Sequence, residues 1–137
     1  MMDNKLVMEA VMASCRDMEG IVKNMAVKAD AVYVSPDVRD KDSICMHYIC
    51  KICFRDLFVM FGIDLNGHRV TFMPEASCQA VKDAHASLVR NNVLMTDETV
   101  HGNTFRDNDM HRMARYMIWF VDEVDHVLLS GRYALAF

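Results

Sequence analysis

From Asp107 to Leu129 the chain sets Met110, Met113, Ala114, Met117, Val121, Val124 and Leu128 at three- and four-residue steps, while Arg112, Arg115, Asp122 and Asp125 fall elsewhere on the cycle. A stripe of that period and length belongs to an amphipathic α-helix, and its apolar side requires another surface to cover it. At 137 residues there is room for one core of ordinary size and not for two, so residues 1–137 read as a single domain. The question is what the remaining hundred or so residues place against that stripe.

The same period recurs upstream. Leu6, Val7, Ala10, Val11, Cys15, Met18, Ile21, Val22 and Met25 predict a helix from about Asp3 towards Lys28, with Gly20 a point where it divides. Val34-Ser35-Pro36-Asp37 breaks the pattern, with Ser35 suited to an N-cap and Pro36 to a first helical position. Cys45, Tyr48, Ile49, Ile52, Cys53, Leu57, Met60 and Phe61 predict a second long helix from Ser43 to about Phe61, closed by Gly62. Asn66 is the expected N-cap of a third, running to Asn91-Asn92 and kinked at Pro74. A polar stretch from Asn92 to Arg106 is left as a long loop, and Ser130-Gly131 is the expected end of the last helix. The expected fold is therefore all-α.

Composition narrows the function. Hydrophobic residues make up 53% of the chain and charged residues 25%, a globular balance, with thirteen methionines favouring a pliable core or an adaptable binding surface. A net charge of −4 with scattered Lys and Arg offers no basic footprint for nucleic acid or an anionic membrane. Runs such as Met117 to Val121 are far too short to span a bilayer, and Asp3 and Glu9 interrupt the start where an export signal needs an apolar stretch. Five cysteines (Cys15, Cys45, Cys50, Cys53, Cys78) are an odd set that predicts reduced thiols.

Two chemical readings can be weighed on spacing. Cys45, Cys50 and Cys53 have the gaps of a ferredoxin-type cluster, with Cys78 or His47 as a further ligand. Bulky intervening residues at helical spacing favour core thiols instead, so neither metal nor cofactor is expected. The six histidines (His47, His68, His85, His101, His111, His126) are dispersed, and no phosphate loop, serine elbow or His-Glu-x-x-His motif is present. No catalytic residue is assigned and the chain is not expected to be an enzyme.

Met60-Phe61-Gly62-Ile63-Asp64-Leu65-Asn66-Gly67-His68-Arg69-Val70 resembles homology region 1 of the Bcl-2 family, matching its Phe, Asn and Arg in one register. Asp64, Gly67 and His68 stand where that pattern has Gly, Trp and Gly. Met113 to Met117 and Asp125 to Phe137 resemble the family's sixth helix and homology region 2, in the same order along the chain. The resemblance covers roughly residues 44 to 137 and is nearest to viral members of the kind carried by large DNA viruses such as fish iridoviruses. It implies a bundle of about six to eight helices, short ones included, around a central helix.

The function it implies is inhibition of host cell death. The amphipathic homology-3 helices of pro-apoptotic partners of the Bim, Bak and Bax type would be held in an apolar groove, with Arg69 pairing the ligand's Asp. The implied groove residues are Val59, Met60, Asn66, Gly67, His68, Arg69, Val70 and Phe72. The implied location is the host cytoplasm, or the mitochondrial surface through the partners, with a homodimer as a further implication. The alternatives are an interaction domain of an unrelated all-α family and a metal protein built on Cys45, Cys50, Cys53 and Cys78.

Overall fold

The computed structural model describes residues 4–36, 47–64, 68–90, 100–101, 104–107 and 109–130. It overturns the all-α expectation and the helical bundle with it. Three α-helices, α1 (Asn4–Met25), α2 (Gln79–Arg90) and α3 (Met110–Ser130), accompany a six-stranded antiparallel sheet. The strands are β1 (Ala31–Pro36), β2 (His47–Phe54), β3 (Leu57–Asp64), β4 (Arg69–Phe72), β5 (Val100–His101) and β6 (Thr104–Arg106), in the spatial order β1-β2-β3-β4-β6-β5.

The first and last helices lie where their stripes predict. In α1, Val11, Cys15, Met18 and Val22 are buried, one face of a helix that continues through Gly20 without a break. In α3, Met113, Met117, Phe120, Val121 and Val124 are buried. Between them, the described part of the helix expected from Ser43 to about Phe61, residues 47–61, belongs instead to the β2–β3 hairpin, and residues 43–46 lie outside the described residues. Tyr48, Cys50, Ile52 and Phe54 alternate inward on β2, and Val59, Phe61 and Ile63 do so on β3. These runs are rich in β-branched and aromatic side chains, which pack well on a pleated surface. The hairpin turns at Arg55-Asp56, both with positive φ (51° and 62°), the backbone that suits the right-handed twist of paired strands.

The expected third helix is also divided. Arg69 to Phe72 form β4, Pro74–Ala76 is a single 3-10 turn, and only from Gln79 does a helix begin. Pro74 thus sits at the N-terminal edge of a turn, where its missing N–H costs nothing. Ser35 and Pro36 end β1 rather than opening a helix, and Val100 to His101 and Thr104 to Arg106 draw part of the predicted loop into the sheet.

The helices form one layer on one side of the sheet, α1 against β1 and α3, α2 against α3 and β3, and α3 against β4 and β6. The centre of the interface is aromatic: Phe72 and Phe120 lie 4.5 Å apart by ring centroid, and Phe61 meets Phe120 edge-on at 5.5 Å. Each such fully buried ring contributes about 1.5–3 kcal/mol over leaving it in water. A second tie joins the hairpin turn to α3. Arg55 Nε lies 3.1 Å from Oδ1 of the buried Asp125, and Lys28 Nζ lies 3.7 Å from its Oδ2.

Candidate functional site

Because strand side chains alternate, the residues between the core positions form a second face, away from the helices. The strand pairing sorts them into rows. Ala31, Cys53 and Phe58 stand side by side; then Tyr33, Lys51 and Met60; then Ser35, Ile49, Gly62, Thr71 and Thr104; then His47, Asp64, Arg69 and Arg106. The first two rows are largely apolar, with Tyr33 57% exposed and Lys51 Nζ held 4.7 Å from the centre of the Phe58 ring. Polarity rises towards the last row. Met73 joins the apolar side through its N–H, donated to the Met60 carbonyl at 2.9 Å.

At the polar end, Asp64 is the hub. Arg69 Nη2 donates to its Oδ2 at 2.7 Å, and His47 Nε2 lies 3.5 Å from its Oδ1. Beside them a hollow of about 290 Å³ is lined by His47, Tyr48, Gly62, Ile63, Asp64, Arg69 and Thr71. It sits over Gly62, where there is no side chain. The Thr71 and Thr104 hydroxyls are 3.1 Å apart, one donating to the other, and Arg106 has no carboxylate partner among the described residues.

The residues of the implied groove are divided by this geometry. Met60 and Arg69 are on the outer face, whereas Val59, Val70 and Phe72 point into the core, essentially without exposure. His68 is exposed at the turn before β4 with a positive φ of 54°, and Asn66 and Gly67 lie outside the described residues. Arg69 is thus a strand residue whose carboxylate is the chain's own Asp64, not a first-turn helix residue facing a groove between helices. His47, Gly62, Asp64 and Thr71, which complete the hollow, escape a helical reading. The register that joins His47 to Asp64 and Asp64 to Arg69 appears only once β2, β3 and β4 are read as adjacent strands.

The cysteine reading separates in the same way. Cys50 faces the helices and Cys53 the outer surface, so the two cannot share one ion, and Cys45 lies outside the described residues. Among the described residues no group of three or more His, Cys, Asp or Glu side chains could hold a metal. Burial pushes the Cys15 thiol up to about 11, with Glu19 adding to the effect, and pushes Cys50 up to about 12. Both are core thiols, the reverse of an activated nucleophile.

Among the described residues, the two edges of the sheet offer little to an added strand. On β1 the Val34 N–H is taken by the Glu19 carboxylate of α1 at 3.4 Å, and Pro36, two residues on, has no N–H to offer. At the opposite edge β5 is two residues long. No described helix is long and apolar enough to cross a membrane. The chain matches no family model, no curated protein and no solved structure.

Proposed function

We propose that this protein is a non-catalytic binding domain that receives a segment of a partner polypeptide across the open face of its sheet. The observation that carries the reading is the gradient on that face, from the apolar Tyr33, Ile49, Cys53, Phe58, Met60 and Met73 to the polar row His47, Asp64, Arg69 and Arg106. An apolar patch bordered by fixed charges is the anatomy of a protein-recognition surface. The Val34 N–H held by Glu19 and the shortness of β5 favour recognition by side chains on this face over strand addition. The partner that suits it is an amphipathic segment with a carboxylate at one end, facing Arg69 and Arg106.

Peptides selected from a random display library against the folded domain test this, mapped by amide chemical shifts and measured again on the double variant Tyr33→Asp, Met60→Asp. Pro-apoptotic homology-3 peptides belong in the same panel. Shifts confined to the outer face, with affinity weakened at least tenfold in a double variant of unchanged circular dichroism, support the reading. Peptides that bind the double variant equally well, or that perturb only the helices, overturn it.

A further inference from the structure

We infer that the hollow over Gly62 is a seat for a single carboxylate, held by Arg69 and the Thr71 hydroxyl, both of which line it. The assignment rests on the outer face being the working surface, and it starts from a glycine that the fold does not need. Gly62 lies inside β3 without a positive φ, and a Cβ added there would meet nothing closer than Met73 Sδ at 3.5 Å, an ordinary contact. Glycine in a strand interior is destabilising and marks places where a ligand or another chain comes close. Gly62 is itself part of the wall of the 290 Å³ hollow, so a side chain here is built at its border.

The groups around the hollow define what it takes. Arg69 spends Nη2 on Asp64, and a guanidinium has five N–H donors in a planar fork, so donors remain for a second carboxylate. The Thr71 hydroxyl shares one hydrogen bond with that of Thr104, and with Thr104 as the donor in that pair the Thr71 O–H is left to donate into the hollow. Arg106 pairs directly across from Arg69 on the same face. Among the described residues this row brings two guanidiniums, Arg69 and Arg106, to the one carboxylate of Asp64, an excess of positive charge that favours a small anion. A carboxylate meets that charge and the planar donor geometry together.

The test titrates the ¹⁵N-labelled full chain with sodium acetate, with sodium phosphate, with sodium chloride at matched ionic strength, and with a face-binding acidic peptide. Wild type, Gly62→Val and Arg69→Gln are compared. The expected result is saturable shifts at Gly62 and Thr71 with acetate, in the range of about 1–10 mM for so small a ligand, absent with chloride and weaker with phosphate. Gly62→Val should weaken acetate more than tenfold while leaving the melting temperature unchanged or higher, and Arg69→Gln should weaken it without filling the hollow. Equal response to chloride, tighter binding of phosphate, or undiminished acetate binding in both variants overturns the assignment. A peptide sensitive to Tyr33→Asp, Met60→Asp but indifferent to Gly62→Val would sink the carboxylate seat alone. Acetate binding without any peptide binding would sink the docking face and leave the seat.

Discussion

Cysteine illustrates how far local surroundings set chemistry. Cys50 and Cys53 are three residues apart on one strand, yet Cys50 is sealed beneath the helices and Cys53 looks outward. A thiol whose ionisation is suppressed by burial reacts slowly, because the thiolate is the nucleophile. Iodoacetamide at pH 8 should therefore modify Cys53 in the native protein while Cys15 and Cys50 react only after denaturation, as peptide mass mapping would record. Comparable labelling of Cys50 in the folded state would contradict its position in the core. The cluster-like spacing of these cysteines was visible in the sequence, but the face each occupies depends on strand alternation, which spacing alone does not reveal.

At the scale of elements, α1 and α3 were legible because each has one apolar and one polar side. The β2–β3 hairpin was not, for two physical reasons. Its outer face carries Ile49, Cys53, Phe58 and Met60, so the alternation of a half-exposed strand is blurred until it can be mistaken for a helical stripe. Its turn is Arg55-Asp56, without the Asn-Gly or Asp-Gly that announces a two-residue hairpin. The inward series Tyr48, Cys50, Ile52, Phe54 and then Val59, Phe61, Ile63 was the available signal, together with the density of β-branched and aromatic residues. Likewise an N-cap expected at Asn66 draws Arg69 into a helix and hides the Asp64–Arg69 pair across β3 and β4.

The same turn yields a prediction about stability. Asp56 sits at a φ of 62°, a left-handed conformation that glycine adopts without its side-chain clash, so Asp56→Gly should stabilise the domain by about 1 kcal/mol. Arg55→Ala should act in the opposite sense. It removes the 3.1 Å contact to Asp125 and leaves that buried carboxylate to Lys28 at 3.7 Å, a loss of about 1–2 kcal/mol for a half-exposed arginine. Urea unfolding of the two variants measures both, and equal midpoints would show that the turn neither stores strain nor anchors α3.

For the whole molecule, the buried weak acids set an alkaline limit. Burial raises Cys15 to about 11, Cys50 to about 12 and Tyr116 to about 12, from ordinary values of 9.0 for the thiols and 10.0 for the phenol. The folded chain thus keeps protons that the unfolded chain has already released. Stability from these groups is complete below the ordinary values and falls as pH climbs from about 9 towards 12, because the unfolded state then binds fewer protons than the native one. The urea midpoint should be lower at pH 10 than at pH 7.5, with the loss reduced in a Cys15→Ala, Cys50→Ala variant compared with its own neutral-pH midpoint. A midpoint flat across that interval would mean these groups are not enclosed.

The strict alternation of the central strands also separates two kinds of change. Tyr48, Cys50, Ile52, Val59, Phe61 and Ile63 answer to the helices, whereas Ile49, Lys51, Cys53, Phe58, Met60 and Gly62 answer to whatever meets the opposite side. A substitution at one set leaves the other largely untouched, since the sheet itself stands between them. A chain arranged this way can exchange one partner for another through substitutions on a single surface, at little cost to its ability to fold.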